Sequence, residues 1–393
     1  MRNRVLLTSL LVCSIIFSAS AKKKTKKQSY IFKDVITNPV TSVKNQQASG
    51  TCWCFSGLSF LESELLRMGK GEHDLSEMFL VKKSYIVKAK DYIRYHTNMT
   101  FSQGGESGDV MEMIAKYGVM PEKEFHGQNY GEKMHRHGEV ESVLKGMLDA
   151  VAKNKNRRLS TAWFRAFNNV ADAYFGKEAK TFNYKGKEYT AISLRDELGL
   201  NPSDYVEIGS FSHHPFYTLC DFEVEDNWIH SKIYNLPIDE FMKLMDSSLK
   251  GGYTLLWGSD VSEKGFHSRE GYAVLPAKSS SETDNLEMAK WEKLSKKQKA
   301  SGLYIKEQKV TQESRQKGFD NYTTTDDHGM HMVGIAKDQF GKKYYKIKNS
   351  WGEYGKYKGY FYASEAFVKA KSMTYMVHKN AIPTALKAKL GIK

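Results

Sequence analysis

The sequence predicts an α+β protein, with helices through the first 200 residues and strands concentrated towards the C-terminus. An apolar run with helical spacing begins at Cys52, and a second helix is expected at 74–94. Runs typical of strands occur at 205–211 and again at 328–336 and 343–348. Of 393 residues, 40% are hydrophobic and 26% are charged, which is enough apolar surface for one large domain or two ordinary ones.

Residues 1–21 differ from the rest of the chain. Arg2 and Arg4 precede an apolar run, and the small residues Ala19-Ser20-Ala21 follow it. This order is typical of a cleaved secretory signal peptide, so we expect the mature chain to begin near Lys22. The apolar run is too short to span a membrane comfortably as an anchor.

The chain is basic, with a formal net charge of +14. Part of this charge lies in the lead-in segment 22–41, which opens with a lysine-rich tail. A basic surface could attract nucleic acid or an anionic membrane, but no nucleic-acid recognition motif accompanies it. We therefore interpret the charge as solvated surface and expect neither a nucleic-acid partner nor a stable membrane span.

Once the signal peptide is removed, the cysteines left are Cys52, Cys54 and Cys220. They are too few for a disulfide framework, and we expect Cys54 and Cys220 to be small core residues. His135-Arg136-His137 has no third ligand at metal-site spacing, and His213-His214 is expected in a structured turn. The sequence thus predicts no metal site and no cofactor.

Cys52 follows a Gly/Ser-rich turn and opens the first predicted helix. The free N–H groups and partial positive charge of a helix N-terminus favour thiolate, the nucleophilic form of cysteine. A buried core cysteine is the more frequent fate of a lone cysteine. Gln46 favours the reactive interpretation, because the turn at Gly50 can bring its amide beside the sulfur.

Two further blocks stand near the C-terminus. The segment from Asp326 through His328 and His331 alternates small and apolar residues, as in a buried strand. The strand pattern at 343–348 then ends in Asn349-Ser350-Trp351-Gly352. Residues three apart on a strand point to opposite faces, so only one of the two histidines can face Cys52. The alternation by itself leaves open which one does.

Taken together, the three blocks resemble the motifs of papain-like cysteine peptidases. Gln46, Cys52, His328 and Asn349 stand on the family's positions, and His328 stands six residues before a glycine, as in that family. Ser49 replaces a disulfide cysteine of papain itself, so the segment is more similar to the bleomycin hydrolase and aminopeptidase C branch.

The resemblance implies a role for each of these residues. Cys52 would be the nucleophile, His328 the base, with His331 as the alternative, and Asn349 the residue that orients the imidazole. The oxyanion hole would consist of the Gln46 side chain and the Cys52 backbone N–H. The substrate cleft would be lined by Gly104, Gly105 and Trp351.

The resemblance also implies the architecture. Residues 42–380 would form a papain-like fold, in which a helical left half carries the nucleophile helix and the right half is a barrel-like sheet. The separation of Cys52 from His328 far exceeds the roughly 130–150 residues of papain and cathepsins. We therefore expect large helical insertions at about 130–200 and at 279–312, the second polar and weakly helical.

The function implied is that of an exported cysteine peptidase acting on peptides, most simply an aminopeptidase. In this branch the C-terminal tail lies in the cleft, and here residues 381–393 could do so. Members of the branch often form hexamers, so a homo-oligomer is expected. The alternatives are a papain-like endopeptidase with an open cleft and a non-catalytic basic binding protein.

Overall fold

The computed structural model describes residues 29–156, 158–277 and 305–392. The predicted signal peptide and most of the predicted insertion at 279–312 lie outside the described residues. Within them the α+β prediction is confirmed, because helices form one half of the molecule and a large sheet forms the other.

Helices dominate the first half, as the apolar periodicity predicts. The second helix begins where Ser76 accepts a hydrogen bond from the Phe79 N–H, and the third ends at Gly118, whose φ of 77° suits glycine. The helices of this half are α1 (Cys52–Arg67), α2 (Glu77–Arg94), α3 (Ser107–Tyr117), α4 (Gly138–Ala152), α5 (Ala162–Phe175) and α6 (Ala191–Leu198).

Within 130–200, where the sequence predicts a helical insertion, the structure also contains a β-hairpin. Strands β2 (Phe182–Tyr184) and β3 (Lys187–Tyr189) form a hairpin between α5 and α6. The two turn residues, Lys185 and Gly186, have φ values of 47° and 83°. Such a turn usually carries asparagine or aspartate at its first position, and lysine there conceals the hairpin from sequence reasoning.

In the described part of the chain, eleven strands form one mixed, mostly antiparallel sheet, and ten of them come from residues 205–378. Its order is β5-β6-β4-β13-β7-β10-β11-β12-β9-β8, and β1 pairs with β10. The strands are β1 (Lys33–Thr37), β4 (Tyr205–Gly209), β5 (Leu219–Asp221), β6 (Lys232–Asn235), β7 (Leu255–Ser259), β8 (Phe266–His267), β9 (Tyr272–Ala273), β10 (His328–Lys337), β11 (Lys343–Lys348), β12 (Tyr360–Ser364) and β13 (Ser372–His378).

Within the described residues, four helices accompany the sheet: α7 (Ile238–Lys250), α8 (Gln312–Asp320), α9 (Glu365–Lys371) and α10 (Thr384–Leu390). The apolar side of α7 and residues of β7, β10 and β13 form one core, which includes Phe241, Trp257 and Tyr375. A second core lies among the helices and includes Leu58, Leu65 and other residues of α1.

Helix α1 joins the two halves. It contacts α2 and α3 on one side and β7 and β10 on the other, and it is buried along most of its length. Cys52, at its first position, is only half-buried. The fold thus leaves one accessible point at the start of this helix, where both halves meet.

Candidate active site

Cys52 stands at the N-terminus of α1, where the sequence predicts it. Its N-cap residue, Thr51, makes no side-chain hydrogen bond to the first turn. Backbone groups of Trp53 and Gly329 hydrogen-bond with the sulfur. Those contacts favour thiolate, as N–H donors at a helix start do.

Gly329 is the reason that β10 can come so near to α1. A Cβ at position 329 would lie 2.9 Å from the Ser56 Oγ and 3.3 Å from the Trp53 Cα. A larger residue would push the strand away from the first turn of α1. The glycine therefore keeps its neighbour His328 beside Cys52.

His328 opens β10 and is held by Asn349. The His328 Nε2 lies 2.8 Å from the Asn349 Oδ1, and the Ser350 N–H donates to the same oxygen at 2.8 Å. Because a backbone N–H can only donate, it fixes Oδ1 as the acceptor, and Nε2 must carry a proton. The basic nitrogen of the neutral ring is therefore Nδ1.

Trp351 covers the histidine. The two rings are stacked with centroids 4.9 Å apart and planes at 25°. His328 is buried as a result, although it lines the cleft. The stacking leaves the imidazole little freedom to leave the Asn349 oxygen.

Gln46 is held from both sides by its hydrogen bonds. Its Oε1 accepts from the Ser350 Oγ at 2.6 Å, and its Nε2 donates to the Ser49 carbonyl at 2.8 Å. An amide NH₂ has two protons, so one N–H of Gln46 remains for another acceptor. Sequence reasoning did not single out Ser350, and its place inside the Asn-Ser-Trp-Gly block was the signal available.

His331 lies elsewhere. Its Nδ1 is 2.9 Å from the Ser59 Oγ, and burial lowers its pKa well below the ordinary value. Among the described residues that line the cleft cavity, His328 is present and His331 is not. The structure therefore brings His328, rather than His331, together with Cys52.

The cleft is a cavity of about 520 Å³. Most of the residues that the sequence predicts for the site line it, and Asn349 stands behind His328. The predicted lining residues are Gln46, Cys52, Gly104, Gly105, His328 and Trp351. Residues from positions 46 to 351 thus meet in one place.

Burial acts on both members of the pair. It raises the pKa of the Cys52 thiol to about 11, and it lowers the pKa of His328 to about 4 against the opposite effect of the Asn349 hydrogen bond. Each ion alone is therefore disfavoured. Proton transfer from the thiol to the imidazole creates both ions together, and each then offsets the cost of burying the other.

The C-terminal tail, described for residues 381–392, lies against the sheet, whereas the resemblance implies that it could lie in the cleft. Ile382 and Leu390 are buried against the core of the sheet, and the Lys389 Nζ lies 4.8 Å from the centroid of the Tyr217 ring. No residue of 381–392 is among the described residues that line the cleft. The prediction that the tail enters the cleft is therefore not met in this structure, because its apolar residues are buried elsewhere.

His213, His214 and Glu223 form the group with metal-ligand chemistry found in the described ranges. The Ser212 N–H donates to the Gln316 Oε1 at 2.6 Å, which turns the Gln316 Nε2 towards the His213 Nδ1 at 2.8 Å. The His213 Nε2 therefore carries the proton that it donates to Glu223 at 3.1 Å. This geometry suits a hydrogen-bonded turn better than a metal ligand.

The model of the peptidase C1-like family matches residues 2–392. The chain belongs to this family. The recognition of a papain-like cysteine peptidase in the aminopeptidase C and bleomycin hydrolase branch is thereby confirmed.

The chain is similar to its relatives over most of their length. Aminopeptidase C of Streptococcus thermophilus is 22% identical, over 93% of this chain and 86% of the relative. Aminopeptidase E of Lactobacillus helveticus is 22% identical, over 86% of this chain and 81% of the relative. The crystal structure of PepW from Lactobacillus rhamnosis HN001 matches with a TM-score of 0.68 and 19% identity, covering 91% of this chain and 84% of that one, which supports the fold.

No helix in the described ranges of this peptidase is both long and apolar enough to cross a membrane.

We expect the pKa values of the pair to set a broad pH range for thiol reactivity. Below about pH 4 His328 is already protonated and cannot accept the thiol proton, whereas above about pH 11 the thiol loses its proton to solvent without His328. The rate of Cys52 alkylation by iodoacetamide, measured by peptide mass spectrometry, should be nearly level between these limits. Alkylation of Cys54 and Cys220 in Cys52→Ala is the control, and an acid limb above pH 6 would contradict the assignment.

Proposed function

We propose that this protein is an exported cysteine aminopeptidase that hydrolyses peptide bonds through Cys52, His328 and Asn349. The observation that supports this most directly is the shared cavity. There a cysteine at a helix N-terminus lies beside a histidine whose Nδ1 is left basic by its bond to Asn349.

Acylation would begin with transfer of the Cys52 proton to the His328 Nδ1. The sulfur attacks the carbonyl carbon of the substrate, and the oxyanion accepts hydrogen bonds from the free Gln46 N–H and the Cys52 backbone N–H. When the C–N bond breaks, His328 gives its proton to the leaving amine. The products of this half-reaction are a thioester on Cys52 and a shortened peptide.

Deacylation would use the same groups in the reverse order. His328 takes a proton from water as the water oxygen attacks the thioester carbonyl. The C–S bond then breaks, and the departing Cys52 sulfur takes the proton back from His328. The acyl group leaves as a carboxylic acid, and the enzyme returns to its starting state.

Aminopeptidase activity is favoured by the relatives, which are aminopeptidases by name and match over more than four-fifths of their length. One observation favours the endopeptidase alternative. In this structure the C-terminal tail packs beside Tyr217, and none of its described residues, 381–392, lines the cleft. The two functions differ in whether a free substrate N-terminus is required.

A homohexamer is supported by the resemblance to the bleomycin hydrolase and aminopeptidase C branch. Export is supported by the pattern of residues 1–21. To test export, the N-terminal residue of the protein recovered from outside the cytoplasm is identified by mass spectrometry. A first residue near Lys22 is expected, an intact Met1 would contradict cleavage of a signal peptide, and absence of the protein from outside the cytoplasm would contradict export.

The decisive experiment follows hydrolysis of one peptide series, with free and with N-acetylated termini, by the protein from Lys22 onward. We expect stepwise loss of N-terminal residues from the free peptides and none from the blocked ones. Cys52→Ala should abolish cleavage, whereas Cys54→Ala, at a buried cysteine on the same helix, should retain it. Internal cleavage of blocked peptides would establish the endopeptidase, and cleavage that survives Cys52→Ala would end the proposal.

A second prediction concerns the amide of Gln46. Gln46→Ala should lower kcat roughly 10²–10³-fold with little change in KM, because an oxyanion donor acts mainly in the transition state. Ser350→Ala removes the hydroxyl that holds the Gln46 Oε1 and should lower kcat about tenfold, the worth of one hydrogen bond. Ser350→Thr keeps a hydroxyl and serves as the control in steady-state kinetics; equal losses in both Ser350 variants would contradict this role.

A further inference from the structure

The cleft has the opposite charge to the molecule as a whole. Six carboxylate residues line it, and no lysine or arginine does so among the residues described, although the formal net charge of the chain is +14. The six are Glu106, Glu141, Glu225, Asp226, Asp326 and Asp327. Because Cys52 and His328 line the same cavity, a substrate held for attack must meet this acidic surface.

Two of these carboxyl groups meet across the cleft. Glu106 directly follows Gly105 and belongs to the helical half, whereas Asp326 precedes His328 by two residues in the half that contains the sheet. Their side chains are hydrogen-bonded to each other, and burial raises the pKa of both. A hydrogen bond between two carboxyl groups needs a proton on one of them, so the pair carries at most one negative charge, which a bound cation would stabilise.

Asp226 adds a third carboxylate beside Gly104 and Gly105, the glycines predicted to line the cleft. Its Oδ1 accepts a hydrogen bond from the Ser102 Oγ at 3.2 Å. Its Oδ2 lies 1.9 Å from where a Cβ of residue 104 would stand, so only glycine leaves room for it. The Asp226 carboxylate therefore lies directly against the Gly104 backbone.

Lys88 interacts electrostatically with Asp226, yet its position leaves the cleft acidic. Lys88 is buried beneath the segment 102–104. There its Nζ donates to the Ser102 carbonyl at 3.0 Å and to the Gly104 carbonyl. Burial also lowers its pKa, although Asp109 and Asp226 act in the opposite direction. Lys88 thus supports the wall of the cleft without lining it.

We propose that Glu106, Asp226 and Asp326 select substrates that carry a positive charge beside the scissile bond. Two substrate groups supply this chemistry: the α-ammonium of a free N-terminus and the side chain of lysine or arginine. The inference rests on the proposed function, and it gives the cleft a preference for free N-termini that does not need the C-terminal tail.

The test compares four aminomethylcoumarin amides of similar size: lysine, norleucine, N-acetyl-lysine and N-acetyl-norleucine. We expect kcat/KM to be at least about tenfold higher for substrates with a cation than for N-acetyl-norleucine, and the preference to fall with added salt. Faster cleavage of norleucine than of its acetylated form identifies the α-ammonium as the group bound. Faster cleavage of N-acetyl-lysine than of N-acetyl-norleucine identifies a basic side chain. Equal rates for all four would overturn the inference.

Variants then assign the preference to residues. Asp226→Asn and Asp326→Asn should each reduce the ratio of cationic to neutral kcat/KM, chiefly through KM. Asp221→Asn removes an exposed carboxylate outside the cleft and should leave the ratio unchanged. If the ratio of cationic to neutral kcat/KM is unchanged in both Asp226→Asn and Asp326→Asn, the inference is overturned. If either variant misfolds, the comparison of the four substrates with the unaltered protein decides.

Binding separates this inference from the proposed function. Calorimetry uses Cys52→Ala and the unsubstituted amides of lysine, norleucine, N-acetyl-lysine and N-acetyl-norleucine. The amides that carry a positive charge should bind at least about tenfold more tightly than the amide of N-acetyl-norleucine. If no substrate is cleaved but this preference holds, the proposed function fails and the acidic cation site stands. If peptides are cleaved without any charge preference, the inference alone fails.

Discussion

The hydrogen bond between His328 and Asn349 is the contact on which the site depends. The Asn349 Oδ1 accepts from both the His328 Nε2 and the Ser350 N–H, which fixes the ring's proton on Nε2 and leaves Nδ1 basic. The same short segment then holds Gln46 through the Ser350 hydroxyl and covers the imidazole with Trp351. Base and oxyanion donor are therefore positioned by three consecutive residues.

Those residues act on Cys52 only because the two halves of the fold lie close together. Gly329 lets β10 approach the first turn of α1. Lys44, two residues before Gln46, forms ion pairs with Glu62 of α1 at 3.2 Å and Glu77 of α2 at 2.8 Å. The Gln46 segment is thus attached to the helices on one side and to the Ser350 segment on the other.

The environment of the cleft opposes thiolate formation. Burial raises the pKa of Cys52, and the negative charge of Asp326 acts in the same direction. A cation bound at Glu106 and Asp326 would oppose that second effect, because it reduces the negative potential at the sulfur. Substrate selection by charge and activation of the nucleophile would then be linked through the same carboxylates.

The sequence by itself determined the elements that local patterns define: helices α1 and α2, strands β10 and β11, and the positions of Cys52 and Asn349 at their ends. Apolar spacing and capping residues act within a few positions, so they can be recognised from the sequence alone. Only the tertiary structure decided what distant residues do. It joined Ser350 to Gln46, brought Glu106 to Asp326, and buried the tail away from the cleft, because such contacts depend on how helices and sheet pack.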